Sequence, residues 1–124
     1  ASTTALVRLA CQATGEASLN GREIFARAAR KDPTMLRVLA AWTADVAAGV
    51  TGLVHVFNPE MVLIGGGVSA QEALFLSPLR KRVLAQVMPC FATGLRVERA
   101  ALGNDAGLVG AAKWWMDSME NRAT

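Results

Sequence analysis

The 124 residues are 52% apolar and 19% charged, with 13 Lys and Arg against 10 Asp and Glu, a formal charge of +3. That apolar content with so small a net charge excludes a disordered chain, and the length bounds it to one compact domain. The most apolar stretch, residues 40–57, is interrupted by Asp45, Gly49, Gly52 and His55, so it falls short of the uncharged run of ~18 residues that reads as a membrane span; no membrane partner is expected.

Cys11 and Cys90 lie far apart, with neither a CxxC spacing nor a nearby His cluster. They give no zinc signature and no disulfide framework, and reduced, buried thiols are the expectation. Arg80, Lys81 and Arg82 form the densest basic run. No aromatic residue is interleaved with them, so a solvated helix face is expected rather than a nucleic-acid surface. The sequence opens without Met and without a signal or transit pattern, which reads as a piece excised from a longer protein.

The first helix is expected over residues 2–14, with Ala5, Leu6, Leu9 and Ala10 on one side, Ser2 or Thr3 as cap and Gly15 as stop. The second opens on Asn20, an N-cap residue followed three positions later by Glu23, the spacing of a capping box, and runs to about Arg30. Asp32 and Pro33 open the third, because Asp is a good N-cap and Pro at the first helical position gives up an N–H that has no partner anyway. In it Met35, Leu39, Trp42, Val46, Val50, Leu53 and Phe57 recur at spacings of three and four, which predicts one stripe facing a core until Asn58 and Pro59 stop the helix.

Met61, Val62, Leu63 and Ile64 make a short run without a polar face, as expected of a parallel strand covered on both sides. Gly65, Gly66 and Gly67 follow at once. Ser69 is expected to cap the next helix, which carries Leu74, Leu79, Val83 and Val87 toward the core, with Pro78 bending or restarting it and Pro89 ending it. Residues 95–100 alternate Leu95 and Val97 with Arg96 and Glu98, the pattern of an edge or half-covered strand. Asn104 or Asp105 then opens a last helix. Its Gly107, Gly110, Ala111 and Ala112 would let a backbone lie close to a sheet or a ligand, and Trp114, Trp115 and Met116 add bulk near its end.

The segment that bears on chemistry is the glycine run. A buried strand that delivers three glycines directly into a helix start brings backbone N–H groups and a positive helix terminus to one spot without Cβ atoms in the way, which suits a nucleotide. A tight strand-to-helix turn alone would use one glycine or two. Gly65-x-Gly67-x-x-Ala70 fits the dinucleotide fingerprint only in relaxed form, without the acidic residue at the end of the next strand, and GxxxxGK[ST] does not occur.

Three segments together resemble the C-terminal part of the ROK family of sugar kinases and sugar-responsive repressors. They are Asn58-Pro59-Glu60 with Ile64-Gly65-Gly66-Gly67-Val68-Ser69; Leu102-Gly103-Asn104-Asp105-Ala106-Gly107-Leu108-Val109-Gly110-Ala111-Ala112; and Gly21-Arg22-Glu23-Ile24-Phe25 followed by Asp32 and the long helix. The opening Ala1-Ser2 looks like the family too, and the flavour is that of bacterial glucokinases or β-glucoside kinases.

The resemblance implies an α/β fold: a partial ribonuclease-H-like C-terminal lobe of the actin-like ATPase type, helix-rich with two parallel strands, residues 1–124 making a single incomplete lobe. It implies a cytoplasmic, homodimeric parent protein that transfers phosphoryl from ATP with Mg²⁺ to a hexose, or a repressor of the same family. Gly65, Gly66, Gly67, Val68 and Ser69 match the family's adenosine-side loop and are the expected nucleotide-binding residues. The family's phosphate loop, catalytic Asp, sugar-binding segment and zinc motif all match positions upstream of Ala1. No catalytic residue and no zinc ligand is therefore expected in this chain. His55 reads as structural or surface, Asp45 as solvent-facing, and Asp105 as an N-cap. With the family's first strands absent, the strand at Met61 is expected to leave an edge open and to promote self-association.

Overall fold

The computed structural model describes residues 2–120. Ala1, half of the opening pair in the family resemblance, lies outside the described residues.

Three side-chain caps start the helical half. Ser2 Oγ accepts from the Ala5 N–H and opens α1 (Thr3–Thr14), which Gly15 ends in the left-handed conformation. Asn20 Oδ1 accepts from the Glu23 N–H at 2.9 Å and opens α2 (Gly21–Ala29). The reciprocal half of the expected capping box is replaced, because the Glu23 carboxylate turns forward to Arg27, 2.8 Å away. Asp32 Oδ1 accepts from the N–H groups of Thr34 and Met35 and opens α3 (Pro33–Phe57), which Asn58 closes at φ 45°.

The core lies where α3 meets α1, α2 and the later helix α4 (Ser77–Gln86). Met35, Leu39, Trp42 and Val50 of the predicted stripe are buried, joined by Val38, Ala47 and Val54. The buried stripe turns aside before its predicted end: Leu53 and Phe57 are 56% and 72% exposed, and in the last turns of α3 it is Val54 that is buried. By length and composition α3 does reach the size of a membrane-crossing helix, against the expectation from its interrupted apolar run, but its buried residues serve as the core of this domain.

β1 (Met61–Ile64) and β2 (Arg96–Arg99) pair in parallel, Met61 opposite Arg96 and Ile64 opposite Arg99. β2 is half-covered as its alternation predicts, Val97 buried and Arg96, Glu98 and Arg99 exposed. β1 departs from expectation. Val62 and Ile64 pack on the core, while Leu63 is 59% exposed, so only one face of the strand is covered. A run of four apolar residues marks a strand without telling how many layers cover it.

The helix after the glycines is also more broken than predicted. Gly67–Ala70 forms a 3₁₀ turn, Glu72–Leu76 a single π-helical turn, and α4 starts afresh at Ser77-Pro78. Ser69 is not the expected helix cap. It is 1% exposed, and its hydroxyl donates backward to the Gly66 carbonyl at 2.7 Å. A short helix α5 (Pro89–Ala92) leads toward β2, and α6 (Ala106–Glu120) follows directly on Asp105. The Asn104 side chain lies outside the described residues. Leu108, Val109, Trp114, Trp115 and Met116 are exposed, and Gly107 and Gly110 have open space where a Cβ would stand, so the small face of α6 lies against no sheet.

Other expectations also meet the coordinates. Asp45 is exposed, and His55 is structural: its Nε2 accepts from the Met88 N–H and its ring lies 5.1 Å from Phe91. Cys11 and Cys90 are free thiols, but half-buried and exposed rather than buried. Of the basic run, Lys81 and Arg82 are solvated while Arg80 folds back onto the strands.

Candidate functional site

The glycine loop leaves the C-terminal end of β1 beside the chain segment that follows β2. The Gly66 N–H reaches the Gly103 carbonyl at 3.4 Å, and the Ala100 N–H reaches Ile64 at 2.9 Å. Only Gly66 requires glycine for its backbone, at φ 82° and ψ 174°, a region closed to side chains. Its carbonyl accepts from both the N–H and the hydroxyl of Ser69, which fixes the turn from inside. Gly65 and Gly67 have ordinary φ values. A Cβ at Gly67 would meet nothing within 4 Å, and one at Gly65 would make only ordinary contacts. The run of glycines therefore exceeds what the turn itself demands, and the surplus leaves open space over the loop.

That space is bounded by other elements. Trp42 of α3 donates from Nε1 to the Ser2 carbonyl at 3.2 Å, tying the start of α1 to the middle of α3, and its ring lies 4.8 Å from Phe75 of the π-turn. Together with the glycines these residues enclose a crevice of about 350 Å³. A second crevice of about 290 Å³ shares Thr3, Gly67 and Val68 with it and is otherwise walled by Gly21, Arg22, Phe25 and Gln71. The N-termini of α1 and α2 touch here, since a Cβ on Gly21 would come within 3.2 Å of the Thr3 methyl group. Two helix starts and the glycine loop thus share one concave surface. The N–H groups of Gly67 and Val68 open the 3₁₀ turn and meet no backbone acceptor among the described residues.

Of the five residues singled out in the sequence, Gly65, Gly66, Gly67 and Val68 line the crevice and Ser69 braces it from beneath. Sequence reasoning missed Thr3, Gly21 and Arg22, which reach the loop through tertiary packing; the family-like run Gly21-Arg22-Glu23 was the available signal. No group of three or more His, Cys, Asp or Glu side chains stands together among the described residues.

Residues 1–118 match the ROK family along nearly the whole chain. The chain belongs to that family. Similar relatives include a glucokinase of Thermotoga maritima, 36% identical over 75% of this chain and 29% of its own length. A β-glucoside kinase of Listeria innocua is 32% identical over 97% of this chain and 40% of its own length. Among solved structures, a ROK family glucokinase from Streptomyces griseus in complex with glucose and AMPPNP superposes with a TM-score of 0.80 at 32% identity, over 92% of this chain and 42% of that one. This ROK chain spans well under half the length of the relatives it matches, and its helix-rich fold with two parallel strands is shared with a sugar kinase.

Proposed function

We propose that this ROK chain is the nucleotide-side part of an ATP-dependent sugar kinase, the C-terminal portion of an actin-like ATPase lobe, with Gly65–Ser69 as the loop that receives the nucleotide. The observation that carries the reading is the clear space over Gly67 beside two backbone N–H groups that meet no backbone acceptor among the described residues. Such a loop lets phosphate or ribose oxygens approach the main chain, and N–H groups at a turn of this kind favour anions. ATP, when bound, supplies the γ-phosphoryl group for a hexose hydroxyl. The kinase reading is preferred over the repressor one because the matched relatives are glucokinases and β-glucoside kinases.

The residues fit the nucleotide and not the rest of the reaction. Phosphoryl transfer needs a base for the acceptor hydroxyl and carboxylates for Mg²⁺, and the described residues gather no acidic cluster by the loop. The chain by itself is accordingly a binding half without catalysis, and its nucleotide affinity is weak, since a cleft binds most strongly when walled on both sides.

The test is an amide-shift titration of the chain with a non-hydrolysable ATP analogue. Saturable shifts confined to Gly65–Ser69, Thr3 and Arg22, lost in Gly67→Val, are expected. Gly67→Val suits the purpose because its Cβ enters open space at an ordinary φ, and its thermal unfolding is compared with that of the unaltered chain. Shifts elsewhere, or binding unchanged in Gly67→Val, would overturn the assignment.

A further inference from the structure

The two crevices at the glycine loop differ in what they offer a ligand. The larger, beside Trp42 and Phe75, is walled by glycine backbone and apolar side chains apart from the start of α1. The smaller lies between the start of α2 and the turn after the glycines, where Arg22 and Gln71 join the apolar Phe25 and Val68. Arg22 is exposed and in no ion pair among the described residues, because the carboxylate next to it in sequence, Glu23, is turned to Arg27. Gln71 is half-buried and is held through its main chain: its N–H reaches the Val68 carbonyl at 3.0 Å, and its own carbonyl accepts from Phe75 and Leu76. Its carboxamide makes no hydrogen bond among the described residues. At about 290 Å³ the smaller crevice stands just below the ~300 Å³ at which pockets for whole drug-sized ligands begin, so it suits one ring system rather than an entire nucleotide.

We infer that the smaller crevice receives the purine base, with the Arg22 guanidinium stacked on its face and the Gln71 carboxamide reading its edge for adenine. This placement rests on the glycine loop receiving the nucleotide. It sets the ribose and phosphates across Gly67, which lines both crevices. A planar guanidinium stacks on any base and so holds a nucleotide without choosing among them. A carboxamide donates from its nitrogen and accepts at its oxygen, which satisfies the amino group and N7 of adenine together. Guanine presents two acceptors at the same edge, and the carboxamide oxygen would face one of them unpaired. Arg22 therefore supplies affinity and Gln71 supplies the choice of base.

Non-hydrolysable analogues of ATP and GTP titrated into the 124-residue chain test it. With the ATP analogue the Arg22 guanidinium signal should shift together with the Gly65–Ser69 amides, and the GTP analogue should bind about tenfold more weakly. Gln71→Leu should remove that preference. Arg22→Ala should weaken the ATP analogue and plain adenosine alike, by about tenfold, whereas a phosphate contact would spare adenosine. Thermal unfolding of both variants checks that they fold, and if Gln71→Leu does not, the ratio of the two analogues on the unaltered chain decides. Silence at Gly65–Ser69 would remove the loop reading and the base site with it. Shifts there with the Arg22 guanidinium silent, equal affinities for the two analogues, a preference that survives Gln71→Leu, or adenosine indifferent to Arg22→Ala would overturn the base site alone.

Discussion

Arg80 donates from Nε to the carbonyl oxygen of Val97, 2.9 Å away, and so fastens α4 to the outer edge of β2. The N–H groups of Arg96 and Ala100 point inward to β1, which turns the intervening Val97 carbonyl toward the side with no strand. There it would be an open acceptor on a sheet edge. Arg80 covers it, while its remaining nitrogens reach Glu72 and Glu98 at 3.2 and 3.5 Å. One side chain therefore joins the π-turn, α4 and β2.

Arg80→Met keeps the apolar stem and removes these bonds. The expected cost is about 1–2 kcal/mol, mostly from the lost hydrogen bond to Val97. Glu72→Gln and Glu98→Gln should each cost less than about 1 kcal/mol, because both carboxylates are largely exposed. Urea unfolding of the three variants measures this, and equal effects from all three would mean that the ion pairs, not the strand edge, carry the stabilisation.

The glycine run separates backbone need from open space. Gly66→Ala places a side chain at φ 82° and ψ 174° and should destabilise the chain by about 1–3 kcal/mol. Gly67→Ala, with ordinary φ and nothing within 4 Å of the new Cβ, should stay within about 0.5 kcal/mol. Thermal unfolding of the pair checks the contrast. A Gly67→Ala as damaging as Gly66→Ala would mean that the loop is sealed rather than open.

What was legible in the sequence was what is local. Ser2, Asn20 and Asp32 each bond N–H groups two or three residues ahead, so residue type and spacing suffice to find them. The parallel strands and the place of the glycine loop followed from a short apolar run and its punctuation. What was not legible depends on neighbours distant in sequence. Periodicity puts Leu53 and Phe57 on the stripe but does not say which of two adjacent faces of α3 is covered near its end, where Val54 is buried instead, and no pattern in residues 61–64 tells that Leu63 faces open space. Ser69 sits where a cap belongs, yet its hydroxyl prefers the Gly66 carbonyl that the turn brings within reach. The crevice over the glycines is likewise tertiary, since Trp42 is held to Ser2 across forty positions.

β1 pairs with β2 along one edge, and no further strand joins the sheet among the described residues. An open edge with an exposed Leu63, close in sequence to exposed Val56 and Phe57, is a template for pairing. The chain is expected to self-associate, and light scattering after size exclusion should report a mass above that of one chain. Leu63→Lys should return it to a monomer while changing monomer stability by no more than about 0.5 kcal/mol, as for an exposed site. A clean monomer for the unaltered chain at micromolar concentration would remove the argument from the open edge.

Acid titration should single out Glu16. Its carboxylate takes a hydrogen bond from the Arg27 guanidinium, Nη2 to Oε2 at 2.8 Å, which holds the Glu16 carboxyl below its ordinary value of 4.5. Arg27 is raised in turn, chiefly by Glu16 and then by Glu23, and stays charged throughout. A carboxyl depressed in the folded state stabilises above its unfolded pKa, and that contribution fades as pH falls through the lower folded pKa. The link between Glu16, two residues past α1, and the body of α2 should therefore hold at neutral pH and weaken below about 4.5. Glu16→Gln should flatten this part of the acid limb and leave the rest. Because the pair is exposed, about 1 M salt should shrink the effect as well. A carbon-detected titration of the Glu16 carboxyl checks the sign directly: a midpoint at or above 4.5 would show that Arg27 does not engage it in solution.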